Sequence, residues 1–202
     1  MGGPSTDDAP APEAASGFAG TPDAFERLWV PHRMVYVGGE GKPADADAGP
    51  QCPFCRAQDA PDADGLVVAR GEECFVVLNL YPYNPGHLLV CPYRHVASYT
   101  DLTGSETVEV ARMTQTAMRV LREVSAPHGM NLGMNQGEVA GAGIAAHLHQ
   151  HVVPRYAGDS NFFPIVAQTK AVTQLLGDVR VAVAEAWPNG DPAEGPEAPP
   201  AP

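Results

Sequence analysis

The sequence has no long apolar run, and both of its ends lack positive charge. No stretch is apolar enough over its length to span a membrane, and no basic region followed by an apolar run marks a signal peptide. Residues 1–25 contain four acidic side chains and no lysine or arginine, and residues 189–202 contain three unopposed acidic ones. With only four cysteines, we expect no disulfide framework and no membrane partner, but a protein of the reducing cytoplasm.

The net charge of −12 is concentrated outside the main body of the chain. Residues 38–64 add six acids against two bases, which leaves eleven acids against ten bases in the rest. A nearly neutral body permits a local phosphate site but lacks the broad positive surface that nonspecific nucleic-acid binding needs. We therefore expect no nucleic-acid partner.

The composition predicts one domain between two tails. With 202 residues, of which 44% are hydrophobic, the chain can bury a single core. Residues 1–20 are rich in Ala, Gly, Pro, Ser and Asp, and residues 189–202 are similar, so we expect disorder in both. The domain is expected over residues 21–188. Its predicted class is α+β, with a single antiparallel sheet of about five strands and two main helices.

Local patterns predict the elements of this domain. Strands are predicted at residues 66–70, 74–80, 87–91, 131–135 and 147–153, the first two as a hairpin. A capping box at residues 103–106 begins a long helix. Its core-facing stripe has helical spacing and comprises Val110, Met113, Ala117, Leu121 and Val124. Further helices are predicted at residues 21–29 and 169–187.

Three histidines alternate within one short run, at His147, His149 and His151. On an extended strand alternate side chains point to the same face, so the three imidazoles are expected on one side. Imidazoles on a rigid strand suit metal ligation, nucleophilic attack or proton transfer. The plainer alternative is a cluster of surface histidines without a function.

With its flanking motifs, this run resembles the histidine triad family. His-x-His-x-His is followed by two apolar residues, and agreement extends to residues 79–90, which include Pro85-Gly86-His87, and to residues 135–143. The resemblance covers roughly residues 50 to 160 and implies the histidine triad fold. Residues 28–34 and 79–87 resemble the branch that contains actinobacterial diadenosine tetraphosphate phosphorylases.

The resemblance implies the catalytic roles. His149 would attack the α-phosphorus of a nucleotide and form a nucleotidyl-histidine, since a neutral imidazole is nucleophilic near pH 7. His151 would hydrogen-bond a phosphate oxygen, and Gln136 would contact the scissile phosphate or the bridging oxygen. His147, the first member of the triad, completes the catalytic set. Backbone N–H groups of the loop from Gly137 to Gly143 are natural phosphate donors.

The resemblance also implies the nucleotide-binding residues, which are Asn79, His87, Asn135, Gly141, Gly143 and His151. Asn79 would bind the ribose hydroxyls, with a strand-end cap as the alternative. His87 would support the triad strand, or serve the fold alone. Many family members carry a hydroxyl or amide side chain at the position of Gly143, so this chain lacks one contact there. Arg155 would neutralise distal phosphates or form a salt bridge at a dimer surface, and Tyr81 and Tyr83 would pack on a base or in the core.

Cys52-Pro53-Phe54-Cys55 is a second candidate site. Alone, Cys-x-x-Cys is ambiguous between redox chemistry, metal binding and chance. Zinc needs four ligands in a tetrahedron, and His95 and His147 are available. A subset of the family is similar in this respect, which implies a structural zinc at Cys52, Cys55, His95 and His147. The alternative is a reduced cysteine pair, with His147 hydrogen-bonded to the backbone.

The implied activity is phosphorolysis or hydrolysis of dinucleoside polyphosphates, and diadenosine tetraphosphate phosphorylase is the favoured form. Three alternatives remain open: hydrolysis of nucleoside phosphoramidates or other nucleotide conjugates, a nucleotide-binding regulatory protein with little turnover, and a zinc-dependent hydrolase. Family members commonly pair into two-fold dimers, so we expect a homodimer or higher homo-oligomer.

Overall fold

The computed structural model describes residues 52–159 and 174–188. The predicted tails, the helix predicted at residues 21–29 and the extent of the domain beyond these ranges lie outside them. Three α-helices are described, α1 (Pro53–Asp59), α2 (Gly104–Ser125) and α3 (Leu176–Ala186), with 3₁₀ turns at Tyr99–Asp101 and Glu138–Ala140. The strands are β1 (Val67–Arg70), β2 (Cys74–Leu78), β3 (Leu88–Pro92), β4 (Gly129–Gly133) and β5 (Gln150–Arg155).

The five strands form one antiparallel sheet in the order β1-β2-β3-β5-β4. The predicted α+β class and single antiparallel sheet are therefore confirmed. The predicted hairpin joins β1 to β2, and the Gly71 N–H donates to the Cys74 carbonyl at 2.8 Å. No helix among the described residues is long and apolar enough to cross a membrane.

The two faces of the sheet bury different sets of side chains, because neighbouring residues of a strand point to opposite faces. One face packs against α2 and α3 through residues that include Val76, Leu88, Val90, Met113, Leu121, Val152 and Val183. The other face packs against α1 through Cys52, Phe54, Phe75, Val77, Leu89 and Cys91. His151 pairs with Leu89 and lies on this second face. The histidine run is therefore on the side of the sheet away from the long helix.

The predicted capping box begins α2. Thr103 accepts from the Glu106 N–H at 3.1 Å, and the Glu106 carboxylate accepts from the Thr103 N–H at 2.7 Å. The same carboxylate is fully buried and takes two charge-assisted hydrogen bonds from Arg94, at 2.6 and 2.7 Å. Arg94 lowers the pKa of Glu106 to about 2. The ion pair thus joins the start of α2 to the chain that leaves β3.

Several element boundaries differ from the prediction. Strand β5 begins at Gln150 and not at His147, because continued register would place Leu148 opposite Pro92, which has no amide hydrogen for the ladder. Strand β4 ends at Gly133, which pairs with His151. The residues that would pair with Asn135 lie before the start of β5, so the pairing does not continue.

The helices differ from the prediction at two points. Helix α3 begins at Leu176, since Leu175 is extended at φ −69° and ψ 138°. The part of the predicted helix at residues 169–173 lies outside the described residues. Helix α1 was not predicted as a helix, although Pro53 occupies the first helical position that proline favours.

Candidate functional site

The three histidines of the run meet beside Phe54 of α1. The rings of His149 and His151 lie with centroids 4.9 Å apart, and Phe54 packs on His147 at 5.4 Å and on His149 at 4.9 Å. His147 is fully buried and His149 is only 6% exposed. A cluster of surface histidines is therefore the wrong interpretation, and the three rings gather on the sheet face that packs on α1.

The hydrogen bond that His149 makes sets which of its nitrogens is protonated. Its Nδ1 lies 2.8 Å from the His147 carbonyl oxygen. Because a carbonyl only accepts, Nδ1 carries the hydrogen and Nε2 of the neutral ring has the free lone pair. Burial lowers the pKa of His149. The ring is therefore neutral at pH 7, with its nucleophilic nitrogen defined.

A chain of two hydrogen bonds fixes His151 in the opposite tautomer. The Tyr83 N–H donates to His87 Nδ1 at 3.1 Å, so a neutral His87 carries its hydrogen on Nε2. His87 Nε2 lies 2.9 Å from His151 Nδ1, which must accept. The hydrogen of His151 is then on Nε2. Within the described residues, this nitrogen is buried and has no hydrogen-bond partner. A buried donor is thus available beside His149.

Burial, with a smaller contribution from the charge of His149, lowers the pKa of His151 to about 4. The titratable groups around it are His87, His149 and Tyr83. At pH 5.5 we expect a neutral ring with the hydrogen on Nε2, whereas an unperturbed histidine would be about 90% protonated. Nitrogen-15 spectra of the imidazoles at pH 5.5 test this, and a doubly protonated His151 would contradict it.

Four side chains from three parts of the chain form a cluster that could hold a metal ion. The ligand atoms of Cys52, Cys55, His95 and His147 all lie within 4.8 Å of one another. His147 Nδ1 is 3.4 Å from Cys52 Sγ and 3.5 Å from Cys55 Sγ, and His95 Nδ1 is 3.3 Å from Cys55 Sγ. The structure therefore brings together all four predicted metal ligands.

The donor set and its spacing fit zinc. With Zn–S near 2.3 Å and Zn–N near 2.1 Å, a tetrahedral site separates sulfur from nitrogen by about 3.6 Å, close to the distances found. His147 Nε2 donates to the Pro92 carbonyl at 2.9 Å, so its Nδ1 has a free lone pair toward the thiols. Burial and the neighbouring Cys52 raise the pKa of Cys55 to about 11, so binding a cation would release protons.

Gln136 lies after β4, on the loop that leads to the histidine run. Its Oε1 accepts from the Tyr99 N–H at 2.8 Å. Gly137 and Gly141 adopt positive φ of 81° and 86°, which favours glycine and turns the loop sharply. Asn135 Nδ2 lies 3.5 Å from the Gly141 carbonyl and holds the two sides of this loop together. Among these residues, the direct contact found for Gln136 is with Tyr99 and not with the triad.

Asn79 follows β2 and contacts His87. Its Oδ1 accepts from the Tyr81 N–H at 3.0 Å, and its Nδ2 lies 3.3 Å from His87 Nδ1. The first contact is that of a strand-end cap. The second places Asn79 at the start of the hydrogen-bonded chain that leads through His87 to His151.

The structure also shows the surroundings of Arg155, Tyr83 and Tyr81. Arg155 donates to Asp159 at 2.6 and 3.0 Å and to Asn131 Oδ1 at 2.9 Å, so its charge is matched within the domain. Tyr83 stacks on His151, with centroids 5.9 Å apart and planes inclined by 13°, while the residue is 43% exposed. Tyr81 is 75% exposed and is not a core residue.

Sequence reasoning missed two contributions to the site. One is Phe54, whose ring covers His147 and His149, and the other is the Tyr99 N–H on Gln136. The proline-phenylalanine pair inside Cys-x-x-Cys could have indicated a short helix with an apolar side chain on the triad. Nothing in the sequence indicates the Tyr99 contact, because a main-chain donor has no residue-type signal.

Comparison with known proteins gives consistent matches. The model of the HIT domain matches residues 60–158. The AP-4-A phosphorylase of Mycobacterium tuberculosis is 48% identical over 170 residues, which cover 83% of this chain and 87% of that protein. The asymmetrical bis(5'-nucleosyl)-tetraphosphatase of Schizosaccharomyces pombe is 35% identical over 82 residues, covering 41% of this chain and 44% of that protein.

A solved structure with a related fold is that of a Zn-bound histidine triad family protein from Mycobacterium smegmatis. It aligns with a TM-score of 0.56 and 26% sequence identity, covering 69% of this chain and 95% of that chain.

Proposed function

This chain belongs to the HIT family, and from that premise we propose that it cleaves dinucleoside polyphosphates, diadenosine tetraphosphate above all, by nucleotidyl transfer through His149. The observation that carries the proposal is the His149 tautomer, in which the His147 carbonyl holds Nδ1–H and leaves Nε2 as nucleophile. The 48% identity to a protein named AP-4-A phosphorylase supports the choice of substrate.

In the first step, His149 Nε2 forms a bond to the α-phosphorus of diadenosine tetraphosphate. The bond from that phosphorus to the bridging oxygen breaks, and ATP leaves with the electron pair. Because His149 Nδ1–H is bound to a carbonyl oxygen, the positive charge that develops on the imidazole is stabilised within the site. In the second step inorganic phosphate attacks the phosphorus, and ADP and free His149 are formed.

The other site residues are proposed to bind and orient the substrate. His151 donates from its unpartnered Nε2–H to a phosphate oxygen, where its contribution grows as charge develops. Gln136 contacts the scissile phosphate, and Asn135 and Gly143 bring backbone N–H groups to the polyphosphate. Gly141, whose own N–H donates to the Glu138 carbonyl at 2.9 Å, shapes the loop around it. Asn79 binds the ribose, and His87 holds the tautomer of His151.

The metal cluster is proposed to hold a structural zinc ion. Cys52, Cys55, His95 and His147 are four protein ligands, which closes a tetrahedral site and leaves no position for an activated water. The ion would hold α1 against the histidine run and keep Phe54 and His147 in place. This arrangement argues against a zinc-dependent hydrolase.

The domain is proposed to work as a homodimer or higher homo-oligomer in the cytoplasm. Among the described strands β4 is at the edge of the sheet, beside β5, and Leu132 on it is 47% exposed. This edge offers backbone groups to a second copy. The four cysteines are free thiols, which suits a reducing compartment. Light scattering tests the oligomer, and a monomeric mass at micromolar concentration would exclude it.

Product analysis with and without inorganic phosphate tests the second-step acceptor. With phosphate present, we expect diadenosine tetraphosphate to give equal amounts of ATP and ADP, because phosphate takes the nucleotidyl group from His149. Release of AMP at the same rate without phosphate would make the protein a hydrolase. No turnover under either condition would contradict the proposed activity.

A further inference from the structure

The side-chain amide of Gln136 is held by a main-chain group from another part of the fold. The Tyr99 N–H donates to Gln136 Oε1 at 2.8 Å. Tyr99 is the first residue of the 3₁₀ turn Tyr99–Asp101, which lies between the metal ligand His95 and helix α2. Gln136 follows β4 and is 37 residues further along the chain. The contact therefore joins two loops that sequence patterns would not associate.

This bond decides which end of the amide is free for a ligand. A main-chain N–H only donates, so it selects the oxygen of Gln136 as its partner. The Nε2 group, with its two hydrogens, is then directed away from Tyr99. A flipped amide would place two donors against each other, which the Tyr99 N–H disfavours. Gln136 is thereby presented to an anionic ligand as a donor.

The segment that carries the Tyr99 N–H is fixed at both ends. His95 Nδ1 lies 3.3 Å from Cys55 Sγ within the metal cluster, and the Val96 carbonyl accepts from the Leu148 N–H at 2.7 Å. At the other end, Arg94 donates to the Asp101 carbonyl at 2.9 Å while it is paired with Glu106. A donor on so constrained a segment can orient a side chain on a more exposed loop.

We propose that the main-chain N–H of Tyr99 is a positioning group, which fixes Gln136 as a hydrogen-bond donor to the phosphoryl group during nucleotidyl transfer. The inference rests on the proposed function of Gln136. It assigns to the His95–Asp101 segment a role in catalysis that is exerted through its backbone.

The chain allows this one donor to be removed with little other change. In Tyr99→Pro the N–H is lost, while the Tyr99 carbonyl that accepts from the Leu102 N–H is kept. Proline suits the first residue of a helical turn, and Ser98 before it is already extended at φ −107° and ψ 140°, as a residue preceding proline should be. Tyr99→Ala is the matched control, because it removes the ring and keeps the N–H.

We expect kcat for diadenosine tetraphosphate to be about tenfold lower in Tyr99→Pro than in Tyr99→Ala, with KM changed less than about twofold. In a Gln136→Ala background the same pair should differ by less than about twofold, since the N–H then has nothing to orient. Equal kcat values for the two variants in the unmodified chain, or an equally large difference in both backgrounds, would overturn the inference.

A second measurement is independent of activity. Amide hydrogen exchange at Tyr99 is expected to be at least about fivefold faster in Gln136→Ala than in the unmodified protein, because the acceptor is gone. An unchanged exchange rate would overturn the inference even if turnover follows the proposed route. Conversely, absence of turnover in the unmodified protein would contradict the proposed function, while the exchange experiment would still report on the Tyr99–Gln136 contact.

Discussion

Replacing His149 with alanine is expected to lower the turnover of diadenosine tetraphosphate by at least about 10⁴-fold. The substitution removes the Nε2 lone pair that the His147 carbonyl makes available, and neither His147 nor His151 can take over the reaction. His147 is directed at the cysteine pair, and His151 has its hydrogen on the nitrogen that faces the site. The variant should still bind nucleotide with an affinity within about fivefold of the unmodified protein, since the proposed phosphate and ribose contacts involve other residues.

The matched control is His128→Ala. His128 is exposed, and it pairs through its backbone with Arg155 at the far end of β5. The His128→Ala variant should turn over diadenosine tetraphosphate at a rate within about twofold of the unmodified protein. Residual turnover of His149→Ala above a hundredth of the normal rate would mean that the reaction proceeds without this nucleophile. Very low turnover in the unmodified protein, unchanged by the substitution, would instead favour a nucleotide-binding regulatory protein.

Replacing Cys52 with alanine is expected to abolish the binding of one zinc ion per chain and to lower the melting temperature by more than about 10 °C. Cys52 is fully buried in the core beneath α1, and its sulfur is one of the four candidate ligand atoms. Loss of the ion would release α1, and with it the Phe54 ring that covers His147 and His149. The measurements are zinc content by atomic emission and thermal unfolding, with and without a chelator.

Cys91→Ala provides the control for the lost thiol. Cys91 belongs to the same buried cluster as Cys52 but not to the ligand set. This variant should retain zinc. Its free energy of unfolding should fall by only about 1 kcal/mol, because one small buried group is lost. If the two variants had the same zinc content and the same melting temperature, the cluster would not be a structural metal site.

The sequence allowed the sheet, the long helix and all four residues of the candidate metal cluster to be predicted, because each has a signal in residue type and spacing. Two β-rich runs separated by Gly71-Glu72-Glu73 indicated the hairpin of β1 and β2. The box at Thr103 and Glu106 indicated the first turn of α2. The metal ligands are chemically unusual side chains in short motifs, so their association could be proposed from a resemblance before any geometry was known.

The features that could not be predicted from the sequence depend on main-chain hydrogen-bonding groups. The strand that carries the triad was expected from His147, but Pro92 on the neighbouring strand has no N–H, so regular pairing with β5 begins only at Gln150. The tautomers of His149 and His151 depend on a carbonyl oxygen and on the Tyr83 N–H, and Gln136 is oriented by the Tyr99 N–H. Backbone donors and acceptors exist at nearly every residue, so their roles become visible only in three dimensions.

The most direct test of the account is to trap the nucleotidyl-histidine. The protein is mixed with diadenosine tetraphosphate in the absence of phosphate and quenched in base, since a phosphoramidate is labile in acid, and its mass and modified peptide are determined. We predict one adenylyl group per chain on His149, removed when phosphate is added before the quench and absent from His149→Ala. Turnover without any adduct, or an adduct on a residue other than His149, would contradict the account.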